Sequence, residues 1–419
     1  MGVLAAVFAT LVVAITLASR RLARLYLTTP IAFVGAGLLT GVVVDAGTAG
    51  EPTRVVAESA LALVLFHDAA QVRPKEIGRE RGLELRLLLV GLPLTIGVGY
   101  LVVRGLLPEL SWPMALLLAS ALAPTDAGLG AATVLNPVVP VRVRRLLNVE
   151  SGLNDGLATP VVLFAIAASL DLEHAINDQH LVLDALTEIA IALLVGAAVG
   201  LVGGRAVQGS AAHGWSTGAA RATAALALPI VAYAGSGVLH GNGFIAAFVA
   251  GTAFASATPR LGDDEDLLAL TESAADLLTF AVWFSFGLVL ATATESLDWR
   301  SVLFAVLSLT VIRMVPVALS LLGAGFRPPT VAFIGWFGPR GLASLVFALI
   351  ALTELDADDQ RATVVGVIAL TVLMSVVLHG TTADPWAQRY GAWTTRVQPA
   401  GEIREAAAPR TRSRMTRQR

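Results

Sequence analysis

The sequence predicts an all-α polytopic membrane protein, and three observations support this fold class. Of the 419 residues, 56% are hydrophobic and 14% are charged, whereas soluble domains carry about 25% charged residues. Apolar runs of about 20 residues, the length that crosses a bilayer as a helix, recur along the chain. Lys and Arg are concentrated in every second loop, as the positive-inside rule requires of a chain that crosses a membrane repeatedly.

Thirteen apolar segments are separated by polar or Gly/Pro-rich stretches. The first resembles a signal peptide, but its positive charges follow the apolar run, so we interpret it as a span. The boundary between the eighth and ninth depends on Gly241-Asn242-Gly243 alone. The predicted spans are residues 2–19, 26–44, 55–72, 83–103, 112–135, 147–170, 181–204, 222–240, 243–258, 273–293, 301–323, 330–352 and 362–382.

Loop charge predicts the orientation. Arg residues cluster at 20–24 and 142–145, whereas the intervening loops, such as “DLEHAINDQH”, are acidic with few Arg. We therefore expect the N-terminus outside and the C-terminus in the cytoplasm, with the protein in the cell (inner or plasma) membrane. The polar, basic composition of residues 384–419 predicts a disordered cytoplasmic tail that is attracted to anionic lipid.

Composition excludes several kinds of site. The chain has no cysteine, which excludes disulfides, thiol catalysis and cysteine-bound metal centres. Its formal net charge is −2, so no basic field favours nucleic acid as a partner. We expect no cofactor and no enzymatic activity. Four histidines, His67, His213, His240 and His379, are scattered; we expect loop or interface positions for them, and a pH-sensing role is the alternative.

Two spans contain a charged residue beside helix-breaking residues. Asp126 lies in “APTDAGLG” in the fifth span, after Pro124, and Arg340 lies in “FGPRGLA” in the twelfth. Free backbone groups at membrane depth are tolerated only where they line a cavity or site, so both patterns predict interrupted helices. The alternatives are that Asp126 only caps a half-helix and that Arg340 snorkels. In the functional interpretation, Arg340 compensates the negative ends of half-helices or holds a carbonyl.

The two interrupted spans lie seven spans apart, so they cross the membrane in opposite directions. This arrangement is typical of inverted-topology repeats with a binding site between discontinuous helices at the midplane.

A polar face begins the sixth span in “NVESGLNDG”. Ser151 and Asp155 are four residues apart, as are Glu150 and Asn154, so the four form one face about 1.5 turns long. The alternative is a helix N-terminus, where such residues act as caps. Asp155 lies about 15 Å beyond the preceding Arg cluster, which puts it within the hydrocarbon region. Arg313, in the eleventh span, needs an acidic partner, and we expect Glu150 in a structural ion pair; a direct role of Glu150 as a transport acid is the alternative.

These motifs resemble those of the Na+/H+ exchanger-type monovalent cation:proton antiporters. The resemblance covers nearly the whole transmembrane part, through “LVLFHDAAQV”, “PTD”, “ESGLND”, the Arg in the eleventh span and “GPRG”. It implies an inverted-repeat antiporter fold in residues 1–383, with the two interrupted spans crossing, and a homodimer. Residues of about 83–170 and 301–382 would form a mobile core, and those of about 2–72 and 181–293 would serve dimerisation and gating.

The resemblance also implies a cation site. Asp155 matches the family's cation and proton carrier, and Thr125, Asp126 and Ser151 match its other Na+ ligands. “TDA” replaces the more common “TDP”, so the break after Asp126 has to come from Pro124 and the glycines.

Other matching residues shape the site. Glu150 and Arg313 match the family's structural ion pair, and Arg340 is expected to support the break. Asn154 stands where electrogenic relatives have a second Asp, which implies electroneutral exchange of one Na+ (or Li+) for one H+. K+/H+ exchange is the alternative. The match in the third span is loose, so Asp68 is given no role with the ion and is expected to pair or face water near the cytosolic end.

Other functional classes fit less well. An intramembrane aspartyl protease would need a Gly-x-Gly-Asp motif, which is absent from the sequence. A channel or non-transporting sensor would be indicated by a fused cytosolic ligand-binding domain, and we expect none in this sequence. A symporter for organic anions is disfavoured by the acidic residues of the predicted site.

Overall fold

The computed structural model describes residues 2–24, 28–43, 51–71, 81–126, 128–129, 136–170, 179–261, 264, 266–290, 297–356 and 358–403, whose regular elements are helices. Residues Leu87–Gly91 form a π-helical turn. The α-helices are α1 (Gly2–Arg24), α2 (Thr29–Val43), α3 (Glu51–Gln71), α4 (Arg81–Arg86), α5 (Leu92–Leu106), α6 (Trp112–Ala121), α7 (Val141–Leu170), α8 (Gln179–Ala212), α9 (Gly218–Val238), α10 (Gly243–Ala257), α11 (Ala269–Leu290), α12 (Trp299–Leu309), α13 (Val311–Ser320), α14 (Pro328–Trp336), α15 (Leu342–Glu354) and α16 (Asp359–Val397).

Each of the thirteen predicted segments contains helix, but the number of membrane crossings stays a prediction. The predicted boundary at 241–243 is confirmed, since the Asn242 side chain accepts a hydrogen bond from the Ile245 amide at 3.0 Å and caps α10. Shorter apolar helices lie at several of the other segments. By length and composition, six helical stretches of the described chain can cross a membrane: Gly82–Leu106, Val141–Leu170, Leu183–Ala212, Gly218–Val238, Trp299–Ser320 and Asp359–Val397.

The helices pack in two groups. In the first bundle (α1–α3 and α8–α11), α2 and α3 pack against α11, and α10 packs against α3 and α8. In the second bundle (α4–α7 and α12–α16), α6 packs against α5 and α7, and α16 packs against α12 and α15. The bundles meet where α3 and α10 contact α7 and where α3 and α11 contact α15. The expected division into a mobile core and a dimerisation and gating part stays a prediction.

Both segments with breaker residues leave the helical conformation. α6 ends at Ala121, three residues before Pro124. α14 ends at Trp336, and α15 begins only at Leu342. Pro and Gly cannot sustain a helix here, and tertiary contacts replace the missing backbone hydrogen bonds.

The sequence pattern placed the polar face of α7 at the start of its helix, but the structure does not. The helix begins at Val141, so Glu150 lies more than two turns inside it. The Arg-rich stretch before the predicted start at 147 is itself helical, and Arg145 pairs there with Glu84 at 3.2 Å. Capping by the polar face is therefore excluded, because the orphan amides of a helix lie within its first turn.

The predicted start of the tail at residue 384 is wrong. α16 continues to Val397 because aromatic residues of this stretch pack on α14, with the Tyr390 ring stacked on Phe333 at 4.2 Å between centroids. Beyond the helix, Glu402 is buried and accepts hydrogen bonds from the Arg327 amide at 2.8 Å and the Thr330 hydroxyl at 2.7 Å. The rest of the predicted tail, residues 404–419, lies outside the described residues.

Candidate cation site

The two interrupted segments cross at Asp126. Its backbone N–H donates to the Pro339 carbonyl at 2.8 Å. One carboxylate oxygen accepts from the N–H of Leu342, the first residue of α15, at 3.0 Å. The other accepts from the Gly128 N–H at 2.7 Å. The Asp126 carboxylate therefore caps a half-helix of the opposite segment, where the helix dipole favours negative charge.

The two glycines of “GPRG” make this crossing sterically possible. A Cβ atom on Gly341 would collide with the Asp126 carboxylate. A Cβ atom on Gly338 would collide with the Arg313 guanidinium and the Thr125 methyl group. These glycines are needed because other groups occupy the space of a side chain.

Arg340 is fully buried and binds carbonyls beside the two breaks. Its Nη1 donates to Ala123 and Pro124, just beyond the end of α6, at 3.3 and 3.4 Å. The same nitrogen donates to the Gly338 carbonyl at 3.2 Å, and Nη2 donates to Ser308 at 3.2 Å. Positive charge is favourable at such C-terminal ends. Snorkelling therefore does not describe Arg340.

Three uncharged side chains form a buried hydrogen-bonded chain beside the crossing. The hydroxyls of Thr125 and Ser151 lie 2.8 Å apart, and the Asn154 Nδ2 donates to the Thr125 hydroxyl at 2.8 Å. Within the described part of the chain, the buried Asn154 Oδ1 has no hydrogen-bond partner. These hydrogen bonds connect the break of the fifth segment to α7. They leave the Asn154 Oδ1 able to bind a ligand.

Asp155 lies on the same face of α7 as Ser151, one helical turn further along. Its side chain is buried, with 9% of the residue exposed. The first bundle closes over this part of α7, because the Phe248 ring occupies the space that a Cβ atom on Gly156 would need. A buried carboxylate therefore lies within one turn of the Thr125–Ser151 contact and close to the boundary between the bundles.

Glu150 and Arg313 form a bidentate ion pair between α7 and α13. Arg313 Nη2 donates to Glu150 Oε2 at 2.8 Å, and Nη1 contacts Oε1. Both side chains are only 4% exposed. The two-pronged geometry orients both groups, and each charge neutralises the other. Arg313 thus has the partner that the sequence suggested.

Asp68 lies against α7, which the loose third-span motif did not indicate. It is half-buried, and its Cβ lies 3.7 Å from where a Cβ atom on Gly152 would be. Its position in “LFHDAAQV” gave no reason to expect a contact with the polar face, because the pairing of α3 with α7 depends on the fold.

The expected loop or interface position is wrong for His67, which is buried in α3, and for His379. The His379 side chain is buried within α16, and its Nε2 lies 2.9 Å from the Trp336 carbonyl at the end of α14. One turn earlier, the Ser375 hydroxyl accepts from the Arg340 amide at 2.7 Å. Spacing of four residues puts Ser375 and His379 on one helix face, but the sequence gives no sign that this face contacts the break.

Comparisons with known proteins support the same family as the motifs. Residues 7–389 match the sodium/hydrogen exchanger transmembrane family. A Na+/H+ antiporter of Schizosaccharomyces pombe is 27% identical over 335 residues, which cover 70% of this chain and 69% of that protein. The K+/H+ antiporter NhaP of Alkalimonas amylolytica is 25% identical over 338 residues, or 80% of this chain and 57% of that protein. The Na+/H+ antiporter 2 of Zygosaccharomyces rouxii is 27% identical, but this chain spans only 33% of its length.

The fold also matches a solved structure. The sodium proton antiporter MjNhaP1 from Methanocaldococcus jannaschii superposes with a TM-score of 0.74 at 19% identity, covering 93% of this chain and 100% of that chain. The likeness shows that the two chains share a fold. Because the family match extends over most of its length, the chain belongs to the sodium/hydrogen exchanger family of multi-pass membrane transporters.

Proposed function

We propose that the protein exchanges Na+ or Li+ for H+ across a membrane, with the cation and the proton competing for Asp155. One observation carries the proposal. The buried Asp155 lies one turn from the contact between Thr125 and Ser151, at the crossing of two interrupted helices. Glu150, the neighbouring acid in α7, is already engaged by Arg313.

The chemistry of the surrounding oxygens fits a hard cation, which prefers carboxylate, hydroxyl and carbonyl ligands. Asp155, Asp126, Ser151 and the hydroxyl or carbonyl of Thr125 are the proposed ligands. Asp126 keeps capacity for a cation while it binds backbone amides, since a carboxylate has about four acceptor positions. Asn154 offers its buried Oδ1 as a neutral oxygen.

Exchange follows if the second bundle moves only when Asp155 is neutralised by a cation or a proton. An empty, charged site would be too costly to carry across the barrier, so leak is suppressed. Binding has to be weak enough for release on the other side. The Glu150–Arg313 pair and Arg340 would keep the site's shape during the movement. Asn154 adds no second charge, which favours one cation per proton.

K+/H+ exchange is the second candidate, because one relative is described as a K+/H+ antiporter. We further propose a homodimer in the cell membrane, surrounded by lipid, with its N-terminus outside and its C-terminus in the cytoplasm. These proposals rest on the family resemblance and on the alternation of loop charge.

Proteoliposomes with an internal pH dye test the function. Adding Na+, Li+ and K+ in turn should cause proton movement with the transported cations only. Asp155→Asn, which keeps the side-chain shape, and Asp155→Ala should abolish the signal. The matched control is Asp184→Asn, which neutralises an exposed carboxylate on α8 and should leave it unchanged. Cation-dependent proton movement in the Asp155 variants would refute the proposed mechanism.

A further inference from the structure

An ion pair joins the two bundles at the end of α15. Arg54, in the first turn of α3, contacts the carboxylate of Glu354, the last residue of α15. Arg54 also donates to Glu58 at 2.6 Å, and the Tyr233 hydroxyl donates to the other Glu58 oxygen at 2.8 Å. Arg54 is thus oriented by the first bundle and reaches across to the second.

The helix α15 connects this ion pair to the candidate cation site. It begins at Leu342, whose amide binds the Asp126 carboxylate, and it ends at Glu354, about 18 Å away at 1.5 Å per residue. If the crossing moves relative to the first bundle, α15 moves with it. Glu354 then has to separate from Arg54.

The exposure of the pair suits a contact that forms and breaks repeatedly. The Arg54 and Glu354 side chains are 30% and 34% exposed, whereas those of Glu150 and Arg313 are 4% exposed. Water compensates partly exposed charges when they separate, so such pairs add little stability. A buried pair would resist separation much more strongly.

We propose that Arg54 and Glu354 form a latch that closes the boundary between the bundles on one side of the membrane and opens in each transport cycle. The inference rests on the proposed function, because it requires the second bundle to move. Loop charge predicts that this side is the outside. In the conformation seen here the latch is closed.

Crosslinking tests whether the latch has to open. The chain has no cysteine, so the double variant R54C/E354C contains only two thiols, which a short, reducible bifunctional thiol reagent can join. The treated protein should lose cation/proton exchange in proteoliposomes and regain it after reduction. The matched control is E109C/R300C, which crosslinks the ends of another exposed ion pair (3.9 Å) within the second bundle. After crosslinking, this control should exchange cations for protons at the same rate as before treatment.

The outcomes separate the latch from the proposed function. Undiminished exchange by fully crosslinked R54C/E354C would overturn the latch, as would failure of the two thiols to crosslink. A wild-type chain that exchanges no monovalent cation for protons would overturn the proposed function and, with it, the opening of the latch. The yield of crosslink would still show whether positions 54 and 354 meet.

A single substitution gives a second measurement that does not depend on crosslinking. Glu354→Gln should open the latch more often and raise the fraction of molecules that can bind a cation from that side. The apparent KM for the cation added there should fall by about two- to fivefold, the range expected for an exposed ion pair. Glu109→Gln should leave the KM unchanged. An unaltered KM in Glu354→Gln would contradict the latch.

Discussion

Within the polar face of α7, the two acids, Glu150 and Asp155, lie in different surroundings. Glu150 is locked to Arg313 in a buried bidentate pair, whereas Asp155 lies one turn beyond Ser151 at the boundary between the bundles. The sequence brought these residues to one helix face through their spacing alone. It could suggest the partner of Glu150 because a buried Arg requires an acid.

Glu150→Gln should destabilise the protein by about 3–5 kcal/mol, because Arg313 would remain buried without its counter-charge. Thermal unfolding in detergent measures the effect. Glu109→Gln, which removes an exposed ion pair with Arg300, should change stability by less than about 1 kcal/mol. Similar melting temperatures for the two variants would contradict the structural importance of the buried pair.

Gly341→Ala should disturb the crossing, because its methyl group would occupy the space of the Asp126 carboxylate. Overpacking typically costs about 1–3 kcal/mol, so we expect the KM for the transported cation to rise roughly tenfold. Gly105→Ala is the control, since a Cβ atom on Gly105 meets nothing within 4 Å. An unchanged KM in Gly341→Ala would show that binding of the cation does not depend on the position of Asp126.

At the scale of elements, the interruptions could be predicted and the helix ends could not. Pro124 and the “GPRG” motif interrupt a helix through the backbone geometry of Pro and Gly themselves. Both interruptions can therefore be predicted from the sequence. The start of α7 and the end of α16 depend on contacts between distant residues, such as Tyr390 with Phe333. The contacts of Asp68 and His379 could not be predicted for the same reason, because their neighbours lie on other helices.

The cap of α12 gives a pH-dependent prediction outside the spans. The Asp298 carboxylate accepts from the Ser301 amide and hydroxyl, both at 2.9 Å. The bond from the Ser301 amide is the main reason that the pKa of Asp298 lies below its usual value. A lowered pKa means that the ionised cap stabilises the folded state above the usual aspartate pKa. This stability is lost as the pH falls through the lowered pKa.

Asp298→Asn keeps a capping oxygen without the charge. Wild type should therefore melt at a higher temperature than this variant near pH 7, and the difference should shrink as the pH falls below about 4. Melting curves of both proteins from neutral to acidic pH measure it. A difference that is the same at every pH would contradict the role of the ionised carboxylate.

For the whole molecule, the two-bundle packing and the neutral Asn154 lead to one prediction about transport. If one cation exchanges for one proton, no net charge crosses the membrane. The exchange rate in proteoliposomes should then be the same with and without an imposed membrane potential. A carrier with a known voltage response, reconstituted in the same way, confirms that the potential was present. A clear dependence of the rate on potential would exclude one-for-one exchange.

The bond between Glu402 and the start of α14 has a consequence for biosynthesis. Thr330 and Arg327 precede Glu402 by 72 and 75 residues, so the start of α14 is synthesised long before the carboxylate that it binds. Translation of α15 and α16 has to finish before this end of α14 can acquire its native contacts. We therefore expect nascent chains that stop short of Glu402 to be degraded more readily than the complete chain.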